Sequence, residues 1–61
     1  MATYINTHPD DFHAAVVDQL IKLRPTLKHF PSGAELANHW DDYRSVEDTA
    51  QEWLDWADAN P

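Results

Sequence analysis

The sequence predicts an all-α domain of three short helices, over about residues 8–24, 33–43 and 45–59, assembled as a homodimer. Three observations carry this expectation. Apolar residues recur at spacings of three and four in each stretch, the period of a one-sided helix. Each stretch opens on a recognisable helix start. The first is closed by Pro25, which disfavours helical geometry at Arg24.

The first helix opens on Thr7-His8-Pro9-Asp10. Thr7 is suited to cap, Pro9 is tolerated in the first turn, and Asp10 and Asp11 favour the positive helix end. On a wheel of about 100° per residue, Phe12, Val16, Leu20 and Leu23 form one stripe, with Val17 and Ile21 in a second beside it. Asp11, Asp18 and Lys22 lie opposite. An apolar arc spanning about half the helix is wider than an ordinary one-sided stripe. The excess predicts a second contact, and Phe12, Val16, Val17, Leu20 and Ile21 are the candidate dimer interface.

The connector from Pro25 to Pro31 holds Leu27 and Phe30, expected to plug the core. Ser32-Gly33-Ala34-Glu35 has the form of a capping box, with Glu35 reaching back to Ser32. It opens a second helix whose apolar face is Leu36, Trp40 and Tyr43, with Ala37 at its edge. Ser45-Val46-Glu47-Asp48 repeats the signal with aspartate in place of glutamate. A third helix follows, with Val46, Ala50, Trp53 and Ala57 at the centre of its apolar face, flanked by Leu54 and Trp56. Glu47, Asp48, Glu52, Asp55 and Asp58 occupy the outer side. The alternative, one helix from 33 to 59 bent near Arg44, fits less well, because Ser45 followed by Asp48 marks a beginning. Residues 1–6, with Tyr4 and Ile5, are read as disordered or as a short extended segment. No repeat or low-complexity tract is present.

Sixty-one residues allow one domain, 1–61. A chain this short buries only about 60% of its unfolded surface. With no cysteine, neither disulfides nor thiolate metal sites are available to stabilise it. Packing and self-association remain, helped by three Trp, two Phe and two Tyr. No run approaches the roughly 18 apolar residues of a membrane span. The N-terminal residues also lack a basic-then-apolar leader, so the expected location is the cytoplasm.

The formal charge of −7 is unevenly placed. Residues 1–21 carry three acids and no Lys or Arg, and residues 22–30 carry Lys22, Arg24 and Lys28 without an acid. Residues 31–61 carry eight acids against Arg44 alone. Nucleic-acid binding is driven by counterion release from phosphates neutralised by Lys and Arg, and this chain has few of either. Its charge fits a basic protein partner or simple solubility, with no direct contact to nucleic acid or membrane. Lys22, Arg24 and Lys28 complement the negative end of the first helix. Their functional reading pairs them with the acidic third helix of a second subunit.

Four histidines raise the question of a metal. His8 and His13 are five apart, a poor spacing for one helix face, and His39 with Asp42 is only a pair. No zinc-type spacing occurs, so no metal and no cofactor is expected. Catalysis needs a cleft of about 300–1,000 Å³, which three short helices are not expected to enclose. The single glycine, Gly33, makes no phosphate loop. His13 with Asp10 resembles two parts of a triad, but no motif supplies the nucleophile. No catalytic residue is assigned and the chain is not expected to be an enzyme.

What remains is a non-catalytic protein that binds and regulates another protein. Trp56, Glu52, Asp55 and Asp48 are the candidate partner surface, since tryptophan is enriched among binding hot spots. In size and in its acidic, aromatic-rich character the chain resembles the small accessory proteins of phages and prophages that modulate a host protein. No motif maps residue by residue onto a family. The alternative is a DNA mimic that inhibits a nucleic-acid-binding protein. Direct DNA binding by a helix-turn-helix ranks below it, because the recognition helix would carry five acids and no base from Val46 to Ala59.

Overall fold

The structure, a computed structural model, describes residues 3–5 and 8–59. It contains three helices, α1 (Pro9–Leu23), α2 (Gly33–Asp41) and α3 (Val46–Ala59). Helix α1 packs against both others, whereas α2 and α3 barely meet. The result is a thin two-layer body of 31 × 22 × 15 Å. No helix among the described residues is long and apolar enough to cross a membrane.

Each helix begins where the sequence signals it, by different chemistry. In α1, Pro9 holds the first helical position and the preceding His8 is extended, with no side-chain cap bond. The Thr7 cap lies outside the described residues. At α2 the box closes in both directions: Ser32 Oγ accepts from Glu35 N–H at 3.2 Å, and Ser32 N–H donates to Glu35 Oε1 at 3.3 Å. At α3 only half the box forms. Ser45 Oγ accepts from Asp48 N–H at 3.1 Å, but aspartate is one methylene too short to reach back. The N-terminal segment supplies what is missing: Val46 N–H donates to the Thr3 carbonyl at 2.8 Å. Thr3 N–H in turn donates to Glu47 Oε1 at 2.5 Å. Residues 3–5 thus lie along the start of α3, and Ile5 packs against the core.

The core is Phe12, Val16 and Leu20 from α1, Leu36 from α2, and Val46, Ala50 and Leu54 from α3. Ser45 and Thr49 are buried with it, and the Thr49 hydroxyl is satisfied by the Ser45 carbonyl at 2.8 Å. His13 Nε2–H donates to the Pro31 carbonyl at 2.8 Å, pinning the connector to α1. Arg24 reaches across to Asp58 with two bonds, of 2.5 and 3.2 Å. Arg44 joins Glu52 and donates to His39 Nδ1.

Several expectations need correction. Phe12, Val16 and Leu20 are 1%, 0% and 0% exposed, so α2 and α3 already cover three of the five residues assigned to a dimer interface. Of that set only Ile21, 47% exposed, and part of Val17 reach the surface. Leu23, placed on the core stripe, is exposed because it is the last residue of α1 and its neighbours stop short of it. Tyr43 is not core. Helix α2 ends two residues earlier, at Asp41, and Tyr43 turns outward at φ 56° with 67% of its surface exposed. Phe30 does not plug the core either; it stands 38% exposed.

Candidate binding groove

Because α2 and α3 splay apart, the face between them is open. An open groove of about 680 Å³ lies between the connector and the C-terminal half of α3. The groove is open to solvent rather than enclosed by the three helices. Leu27 and Phe30 of the connector, with Trp53, Trp56 and Ala57 of α3, give it apolar walls. Arg24, Lys28 and His29 stand around it, and Glu35 closes the far end. A smaller hollow of about 330 Å³ continues past Glu35, Trp53 and Trp56 to Leu36, His39, Thr49 and Glu52. The two share those three residues and form one trough. Along α3 it runs from Thr49 to Ala57, about 12 Å at 1.5 Å per residue.

The aromatic wall is built by position in the chain. Trp53 lies midway along α3 on its apolar side and is only partly buried. It packs on the core at one edge and donates from Nε1 to the His29 carbonyl at 3.0 Å. This bond holds the connector against α3 and fixes one side of the groove. Trp56, one turn on, tilts against Trp53 with ring centroids 5.2 Å apart and planes at 33°. It remains 53% exposed. A tilted aromatic pair is a favourable contact, so the exposed ring is oriented by its neighbour.

The charges divide along the trough. Arg24 is held by Asp58, and the same hydrogen bond draws the Asp58 carboxyl below the usual carboxylate range. Lys28 makes no ion pair among the described residues. At the other end Glu52 is paired with Arg44. His39 is pushed below the ordinary histidine value by burial first and by the Arg44 charge second.

Of the expected partner surface, the structure brings Trp56 and Glu52 to one trough. Asp48 and Asp55 are exposed and line neither hollow, Asp55 accepting from Gln51 Nε2 at 3.1 Å. Arg24 and Lys28, expected as a basic patch, and His29 and Phe30, not expected as a site, are set beside Trp53 and Trp56 only by the fold. Among the described residues no three His, Asp or Glu side chains converge as a metal-binding group. Thr26 carries the only hydroxyl lining the larger groove, and it is bonded to neither a histidine nor a carboxylate among the described residues. No protein-family model matches this chain, and neither does any curated protein or solved structure.

Proposed function

We propose that the chain is a non-catalytic protein-interaction module that regulates the protein it binds, using the aromatic trough as its contact surface. The observation that carries this reading is the convergence of Phe30, Trp53 and Trp56 from two separate elements onto one open groove. Trp56 is half exposed beside this apolar hollow, and tryptophan is enriched among the residues that supply binding energy at interfaces. Polar groups at the rim supply orientation, as at most binding sites.

The test is affinity capture with the wild-type chain, Trp56→Ser, and Asp18→Asn on the exposed far side of α1. A partner held by wild type and Asp18→Asn but lost by Trp56→Ser supports the reading. A partner retained by Trp56→Ser overturns it. DNA mimicry predicts instead that capture is salt-sensitive and is lost on reversing Glu52 and Asp55 to Lys. Two of the outer acids favour it less, since Glu52 and Asp58 are each already neutralised by an arginine. Self-association through α1, expected from the sequence, would have to rest on Val17, Ile21 and Leu23, because the rest of that surface is inside the chain. Stable interfaces bury about 800 Å² per partner, and three side chains fall short of that.

A further inference from the structure

One wall of the narrow half of the trough is a histidine whose hydrogen bond fixes its protonation state. Nη1 of Arg44 lies 3.2 Å from His39 Nδ1. A guanidinium has only donors, so Nδ1 accepts, and the proton of the neutral ring sits on Nε2. A second proton can enter only at Nδ1, the atom that already faces an N–H of a cation. Protonation therefore turns this hydrogen bond into a contact between two donors of like charge. The same side chains link two helices that otherwise barely meet. His39 is in the last turn of α2, Arg44 follows that helix, and Glu52 stands on α3. Arg44 pairs with Glu52, whose Oε2 lies 3.9 Å from His39 Nδ1. His39 and Glu52 line the hollow of about 330 Å³ beside Trp53 and Trp56. Glu35 is the one other charged side chain lining it among the described residues, and none comes from α1.

A charged His39 and Arg44 would compete for one carboxylate. The guanidinium fork matches a carboxylate better than a single imidazolium N–H, so Glu52 stays with Arg44. The His39 ring is the group left to move. Its side chain is 26% exposed where it stands, and turning outward restores the hydration that a charged ring loses on burial. Two features favour the outward position. It lies in the last turn of α2, where the helix end attracts a cation, and Asp42 at the C-cap is exposed and favours the charged ring. Burial and Arg44, which hold the ring below the ordinary histidine value, are both relieved by that rotation.

We infer that His39 is a proton-operated gate at the narrow half of the trough: neutral, it closes the hollow against Arg44, and protonated, it turns out toward Asp42 and opens the hollow beside Trp53 and Trp56. The movement does not depend on what the trough binds, so its failure and that of the proposed function are separate results.

The experiment is nuclear magnetic resonance on the isotope-labelled full chain, titrated from about pH 8 to about pH 5, a range that brackets histidine. At the upper end the ring nitrogen shifts of His39 should show the Nε2–H form, and nuclear Overhauser contacts should join its ring to the Arg44 side chain. Those contacts should be lost as His39 titrates, below the ordinary histidine value. The indole N–H signals of Trp53 and Trp56 should shift with the same midpoint. His39→Gln should abolish that indole shift. His29→Gln should leave it, although the His29 carbonyl holds Trp53, because a backbone carbonyl remains. Arg44→Gln frees Glu52 to hold the charged ring in place, so the midpoint should rise and the indole shift shrink. Contacts to Arg44 that persist through the titration overturn the inference, since His39 then protonates where it stands. An Nδ1–H form at the upper end, or an indole shift that survives His39→Gln, also overturns it. So does collapse of the signal dispersion at the His39 midpoint, because the proton then breaks the fold rather than opening one hollow.

Discussion

Tyr43 has a backbone that its side chain opposes. Its φ of 56° is the left-handed conformation, which costs a residue with a Cβ about 1–2 kcal/mol. The reason lies in how α2 stops. Tyr43 N–H donates to the Trp40 carbonyl and Arg44 N–H to the His39 carbonyl, both at 3.1 Å, the paired bonds of a Schellman termination. Glycine is the usual residue at the left-handed position of that motif. The ring returns little, being 67% exposed. Tyr43→Gly should therefore stabilise the chain by about 1 kcal/mol, reduced somewhat by the greater freedom of unfolded glycine. In a domain of this size that raises the melting temperature by several degrees, roughly 4–8 °C per kcal/mol. A lower melting temperature would show that the tyrosine ring contributes more than the strain costs. Trp40 presents a related imbalance. Its Nε1–H is buried with no hydrogen-bond partner among the described residues, so its ring contributes packing at the cost of an unmet donor.

At the scale of the element, all three helix starts are legible in this sequence, and so are the ends of α1 and α3, whereas α2 stops two residues short of expectation. Ser32 and Glu35 announce α2 within four residues, and both bonds of the box are present. Starts are written locally because the cap and the groups it satisfies are neighbours in the chain. The wheel also places Phe12, Val16, Leu20, Leu36, Val46 and Ala50 inward, as found. Its failures share a position. Leu23 and Tyr43 lie in the last turn of a helix or just past it, and both are exposed. A wheel gives the direction of a side chain around the axis. It does not say how far along the axis a neighbouring helix extends. Leu54 is 5% exposed, while Trp53 and Trp56 on either side of it in the sequence line the trough. Its other wall, Phe30 and Lys28, joins through contacts more than twenty residues apart in sequence, which no local pattern encodes. The two serine caps give a matching prediction. Ser32→Ala removes an exposed cap and should cost about 1 kcal/mol. Ser45→Ala also leaves a buried site, 2% exposed, without its hydroxyl, so urea denaturation should show the larger loss there. Equal losses would mean that Thr3, whose carbonyl accepts from Val46 N–H, already holds the start of α3 by itself.

For the whole molecule the open question of energetics is whether acid strengthens or weakens the fold. An excess of carboxylates repels itself, so partial neutralisation on acidification favours the compact state. Three local groups pull the other way. His39 is held below the ordinary histidine value by burial and by Arg44. Glu47 is lowered mainly by the Thr3 backbone N–H, and Asp58 by the hydrogen bond from Arg24. In each the folded form binds its proton more weakly than the unfolded form. Stability from such a group is complete above its unfolded value and is lost as pH falls toward its folded one. The windows follow: below about pH 6.5 for His39, below about pH 4.5 for Glu47 and below about pH 3.8 for Asp58. At physiological ionic strength the diffuse repulsion is screened beyond about 8 Å, whereas His39 is part-buried and in contact with Arg44. The local terms should therefore prevail. The melting temperature should fall between pH 7.5 and 5.5, and again between pH 4.5 and 3. His39→Gln should flatten the first fall and leave the second. Asp58→Asn should shrink the second and leave the first, because Arg24 then has no carboxylate to lose. A melting temperature that climbs from pH 7.5 to 5.5 in wild type would reverse the ranking, making net charge rather than these three contacts the dominant electrostatic influence on the fold.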